Sequence, residues 1–135
     1  MAGYSGTPLA RKLGLKENMV VTTLAAPKGY QKLLAPLPPG VRFVELLKAG
    51  CEFVHLFVTQ RKELIRLLAF SRKNMKPDAV IWVSWPKKSS NIASEVTEET
   101  IREAALPLGL VDIKVCAVDE TWSGLKLVIR RELRK

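Results

Sequence analysis

The sequence is poor in the residues that build reactive centres. Among its 135 residues there is one histidine, His55, and there are two cysteines, Cys51 and Cys116, set in apolar contexts without metal-ligand spacing. A transition-metal site needs a cluster of such ligands, so none is expected. No Gly-x-Ser-x-Gly nucleophile elbow and no G-x-x-x-x-G-K-[ST] phosphate loop is present. No apolar run approaches the roughly 20 residues that span a bilayer, so no membrane association is expected. The N-terminal stretch "MAGYSGTPLARKLGLKEN" lacks the apolar core and small-residue cleavage site of a signal peptide. With free thiols, these features lead to the expectation of a cytoplasmic protein without disulfides, bound cofactor or catalytic motif.

What remains is a globular composition with a strong charge bias. Apolar residues make up 47%, and 22 Lys and Arg against 13 Asp and Glu give a formal charge of +9. Such an excess favours anionic partners: a small anionic molecule, nucleic acid or an acidic surface. No repeat, low-complexity tract or linker divides the chain, so residues 1–135 are expected to form a single domain, with 1–18 as an arm and short helix.

Periodicity supplies the elements. "TPLARKLGL" predicts a short helix, with Thr7 as cap, Pro8 first in the helix and Gly14 as stop. β-branched richness marks a strand at 19–24, and "APKGYQKLLAPLPPG" a glycine turn with a brief helix. Residues 41–47 and 52–58 read as strands separated by too few residues for a helical crossover; the junction is either a hairpin or a bare loop passing under the sheet. Leu64, Ile65, Leu68 and Met75 predict a helix over 59–75, broken by "KPDA" before a strand at 80–85. Thr97 opens a helix whose inner side is Ile101, Ala104, Ala105 and Leu108. "LVDIKVCAV" and "LKLVIRREL" are a final antiparallel pair joined by "DETWSG". The expected fold is α/β: a Rossmann-like layered sandwich with a mostly parallel sheet ending in an antiparallel hairpin. This element order is similar to the second half of the methyltransferase-type Rossmann fold, whose last strand runs antiparallel.

In such sheets ligands bind where strand carboxyl ends meet. The stretch "VIWVSWPKKSSN", 80–91, runs a buried strand into a cationic, hydroxyl-rich loop at that edge. Lys87 and Lys88 can attract an anion, and Ser89 and Ser90 can direct hydrogen bonds to it. Trp122 and Ser123 in "DETWSG", with Lys28 and Arg61 from neighbouring loops, complete the candidate site. The same lysines and serines also suit a merely solvated turn, and Trp122 suits a cover for the sheet end. A second set, Lys62, Arg66, Lys73, Arg130 and Arg131, could track a nucleic-acid backbone in a salt-dependent way. A third reading is a reduced methyltransferase-like enzyme with a cofactor turn at Gly29 and an acid at Glu45; its turn holds one glycine, and the 29–41 connection is short for a crossover helix. His55, flanked by Phe53 and Phe57, reads as a hydrogen-bonded core residue. The oligomeric state is expected to be monomer or homodimer.

The blocks "YSGTPLARKLGL", "WVSWPKKSS" and "GLVDIKVCAVDETWSGLKLVIR" resemble a family of small bacterial proteins defined only as a domain of unknown function. That resemblance implies a bacterial, cytoplasmic, single-domain protein, here expected to be a small-ligand or regulatory module. It implies no catalytic residue.

Overall fold

The computed structural model describes residues 7–134. Six strands form one sheet: β1 (Val20–Leu24), β2 (Arg42–Val44), β3 (Cys51–Phe57), β4 (Met75–Pro86), β5 (Leu110–Ala117) and β6 (Trp122–Ile129). Their order is β2-β1-β3-β4-β6-β5. β1 to β4 pair in parallel, and β6 runs antiparallel to both β4 and β5. The expected sheet, parallel with a terminal antiparallel pair, is the one observed.

Alternation along the central strands divides the core in two. On one face Phe53, Phe57 and Trp82 pack beneath α1 (Leu9–Leu13) and α2 (Tyr30–Leu34), meeting Leu13, Tyr30 and Leu34. On the other face Val54, Leu56, Ile81, Val83 and Leu125 lie under α3 (Arg61–Asn74) and α4 (Glu98–Ala105). Each fully buried side chain of this size contributes about 1.5–3 kcal/mol. The Trp82 indole N–H donates to the Leu13 carbonyl at 2.9 Å, which ties α1 to the sheet.

Several boundaries differ from expectation, each for a local reason. α1 takes Pro8, not Thr7, as its N-cap and ends at Gly14 with φ +89°. The strand expected over 41–47 shrinks to three residues, because β1 is its only partner and pairs no further than Val44. β2 and β3 lie on opposite sides of β1, so 45–50 is a bare loop under the sheet and not a hairpin. Leu47 from that loop is buried in the α3-side core. In α3, Leu67 is buried in place of Ile65, which is 48% exposed. "KPDA" does not separate α3 from the next strand: β4 begins at Met75, and 76–79 bulge out between the Cys51–Met75 and Phe53–Val80 pairs. The α4 start is as expected, with Thr97 and Thr100 forming a reciprocal capping box. Trp122 and Ser123 belong to β6 itself, so the terminal hairpin turns over only 118–121, and 131–133 leave the strand as a 3₁₀ turn.

Candidate functional site

The carboxyl ends of β1, β3, β4 and β5 share one edge, because β6 reverses twice between β4 and β5. The lysine loop and the hairpin loop meet there: the Lys87 N–H donates to the Thr121 carbonyl at 2.8 Å. Beyond Lys87, residues Lys88–Ser90 coil into a 3₁₀ turn closed by Asn91 at φ +61°. The Ser90 hydroxyl donates to the Lys87 carbonyl at 2.7 Å and accepts the Ile92 N–H, so its hydrogen bonds hold the turn. Lys88 and Ser89 stay exposed. Asp119 Oδ1 accepts the N–H groups of Thr121 and Trp122 at 2.8 and 2.7 Å, which shapes the hairpin. Trp122 is half-buried, edge-on to Phe57 with ring centroids 5.1 Å apart, and much of its surface is committed to the core. Ser123 is half-buried between Ala117 and Trp85 in the ladder.

Arg61 is the first residue of α3. Its N–H donates to Glu95 Oε1 at 3.0 Å, and its guanidinium lies 3.9 Å from Glu103. Glu95 therefore occupies the helix start that an external anion would seek. Lys28 is exposed in the turn after β1, two strand spacings or roughly 10 Å from β4. Of the expected anion set, the structure thus brings together Lys87 and the Trp122 hairpin, while Lys28 stands apart.

A cleft of about 370 Å³ lies over the carboxyl ends of β1 and β2. Its lining includes Ala26, Gly29, Tyr30, Lys32, Phe43 and Glu45. Gly29 has φ +80°, and a Cβ placed there would meet no atom within 4 Å, so the turn leaves open space above its backbone. Gly29 and Glu45 are legible in the sequence as candidates, whereas Lys32 and Phe43 are not. The pairing of β2 with β1, which puts Phe43 beside Val21, was the missing information.

Beneath this edge runs a buried polar chain. The Tyr30 hydroxyl is 2.6 Å from His55 Nδ1, and His55 Nε2 is 2.7 Å from Ser84 Oγ. His55 has no exposed surface, and burial pushes its pKa down to about 3. Burial also pushes the Tyr30 phenol upward. The three groups are therefore neutral at physiological pH and serve to fix the α2 turn to β3 and β4. Ser84 and His55 are sealed from solvent, so the chain supplies no nucleophile.

The basic set of the second reading is spread out. Arg66 is paired with Glu63, and Arg130 with Glu132 at 3.2 Å, whereas Lys62, Lys73 and Arg131 are exposed. Lys62 opens α3 at the carboxyl edge, but Arg130 and Arg131 leave β6 at the opposite edge. Among the described residues no group of three or more His, Cys, Asp or Glu could hold a metal ion, and no helix is long and apolar enough to cross a membrane.

Sheet order, layers and edge cleft together define a Rossmann-like α/β protein of the methyltransferase type of fold. A ribosomal protein L11 methylase from Lactobacillus delbrueckii subsp. bulgaricus superposes with a TM-score of 0.60 at 8% identity, covering 91% of this chain and 76% of that one. A SAM dependent methyltransferase from Aquifex aeolicus gives 0.57 at 14% identity, covering 90% and 88%. At these identities the likeness is one of fold. No curated protein matches the sequence. The chain belongs to DUF3052, a family of proteins of unknown function, whose model matches residues 53–131. That stretch runs from β3 through β6, and the Gly29–Glu45 cleft lies outside it.

Proposed function

We propose that the protein is a binding module for a small, hydroxyl-bearing anionic ligand, seated in the cleft over β1 and β2. The observation that carries this reading is the cleft itself, at the carboxyl edge of a parallel sheet with Gly29 leaving its floor open. Glu45 would accept hydrogen bonds from a pair of hydroxyls, Lys32 would face a negative group, and Phe43 would give an apolar wall. Lys28 beside Gly29, and Lys87, Lys88 and Arg61 farther along the edge, would raise the local concentration of anions. The Ser89 hydroxyl and the hairpin at Trp122 and Ser123 would border an extended ligand.

The solved structures that share the fold include a SAM dependent methyltransferase, so an adenosyl compound is the first probe. Two features distinguish this cleft from a full cofactor cradle: Gly29 is the only glycine of its turn, and α2 has five residues. Binding, without a methyl-transfer step, is therefore the function proposed.

The test is a thermal-shift and calorimetric screen against adenosyl compounds, nucleotides and sugar phosphates. A ligand at about 100 times its dissociation constant adds about 2.7 kcal/mol of stability. Glu45→Gln and Lys32→Ala, both surface changes, should abolish that gain without altering the unliganded midpoint. A shift unchanged in both variants, or silence across the screen, would sink the proposal.

A further inference from the structure

The cations of this protein fall into two kinds. Arg61, Arg66, Arg102 and Arg130 each stand beside a carboxylate. Around the junction of α1 with the β5–β6 hairpin the pattern is the opposite. Lys114 and Lys126 face each other directly across the ladder. The Lys114 ammonium donates to the Lys12 carbonyl at 3.0 Å, which brings α1 and β5 together. The Lys126 ammonium reaches Gly14, coming within 3.9 Å of where a Cβ would stand. Burial first, then the charges of Lys114 and Lys16, hold Lys126 below the ordinary lysine value. Burial raises the Cys116 thiol, and the charges of Lys114 and Lys12 together oppose that rise. Among the described residues, none of Arg11, Lys12, Lys16, Lys114 and Lys126 is in an ion pair with a carboxylate.

Like charges placed opposite one another in a sheet destabilise it. Here Lys114 lines an open groove of about 660 Å³ with Arg11, Lys12 and Val115, and Lys126 stands opposite it in the ladder. The groove belongs to the α1 side of the sheet's far end, away from the Gly29–Glu45 cleft. Its breadth suits an extended chain of charges better than an enclosed metabolite. Among the described residues of its lining none is aromatic, which favours a paired duplex over stacked, unpaired bases. Lysines at this density on a strand pair and a helix end match phosphates strung along a duplex, which they contact without reading sequence.

We propose that the groove between α1 and β5, lined by Arg11, Lys12 and Lys114, with Lys126 opposite Lys114 in the ladder and Lys16 close to Lys126, binds the phosphate backbone of double-stranded nucleic acid without sequence preference. Binding relieves the repulsion between Lys114 and Lys126 by giving each a phosphate. This surface is separate from Lys62, Arg66, Lys73, Arg130 and Arg131, the basic set that stood out in the sequence.

The experiment is fluorescence anisotropy of a labelled duplex across a salt series with the full chain. Each phosphate neutralised contributes about −0.9 to the slope of log K against log salt, so about four contacts give a slope of roughly −3.6. The pair Lys114→Ser/Lys126→Ser should lower its magnitude by about 2, and Arg130→Ser/Arg131→Ser should leave it unchanged. The lysine pair should unfold at or above the wild-type temperature, which separates lost binding from lost structure. An equal effect from the arginine pair, or no salt-dependent binding by the wild type, overturns the inference. Displacement of the duplex by inorganic tripolyphosphate at equal phosphate concentration also overturns it, in favour of a small-phosphate site.

Discussion

The Tyr30 hydroxyl lies 2.6 Å from His55 Nδ1, where His55 is sealed from solvent and Tyr30 is buried beneath the cleft. With Ser84 on the other ring nitrogen, the imidazole has a partner at both positions in either tautomer. Its folded pKa of about 3 is below the ordinary 6.5. A depressed histidine pKa gives stability that is fully present above pH 6.5 and is lost as pH falls toward 3, because only the unfolded chain takes the proton. The slope is about 1.4 kcal/mol per pH unit in that window. Thermal unfolding at pH 7, 6 and 5 should show it. Tyr30→Phe/His55→Phe/Ser84→Ala, which removes the whole chain and leaves no orphan, should flatten the profile. His55→Phe alone should cost about 1–3 kcal/mol for each hydroxyl it strands.

Gly124 faces the ring of Trp82. A Cβ at this position would come within 3.2 Å of both the indole and Val118, two buried side chains that would have to shift. Gly124→Ala is expected to destabilise by about 1–3 kcal/mol through overpacking. Chemical denaturation would measure it, with an unchanged m-value showing that the fold is kept.

Glu95 secures the long loop after β4. Its side chain accepts the Arg61 N–H, and its own N–H donates to the Thr59 carbonyl at 2.8 Å. Glu95→Ala should cost about 1 kcal/mol, as loss of a helix cap does. Amide exchange should rise at residues 61 and 95 while the β4 core stays protected.

Cys51 and Cys116 are separated by β4 and β6, so three strand spacings, roughly 14 Å, lie between their strands. A disulfide cannot bridge Cα atoms more than about 7 Å apart. Burial raises both thiols above the ordinary cysteine value, although Lys114 and Lys12 pull Cys116 the other way. Thiol titration at pH 7 should count both as free and slow to react, with denaturant making them fast. Detection of an intramolecular disulfide would contradict this.

The parts of the fold that could be read from sequence were those with a strong local period. "EFVHLFV" alternates Phe53, His55 and Phe57 against Val54 and Leu56, and those two sets do face opposite cores. The Thr97 cap was visible for the same local reason. β2 was overextended because Leu46 and Leu47 continue an apolar run. Leu46 is in fact 66% exposed, and Leu47 is buried from a loop and not a strand. At the candidate site, topology made the shared edge of Lys87 and Trp122 legible. It could not disclose that Ser90 and Asp119 bond their own loops and that Glu95 bonds the distant Arg61 N–H. The groove of Arg11, Lys12 and Lys114 leaves no local trace, since its members come from opposite ends of the chain and meet only when β5 docks beside α1.

The helix-free crossing at 45–50 grades the sheet from one side to the other. On the α3 face, Val20, Thr22 and Val44 border a trough of about 510 Å³ where a crossover helix would otherwise lie. β2 is an edge strand held by three paired residues on β1 and by the packing of Phe43 against Tyr30. Regions with few buried contacts open locally at low free energy while the centre stays closed. Amide exchange should accordingly be fast in β2, intermediate in β1 and slowest in β3 and β4. Phe43 belongs to this loosest strand, and Glu45 follows it directly. A ligand resting on both would act on a local folding equilibrium, and its apparent affinity would include the cost of ordering that edge.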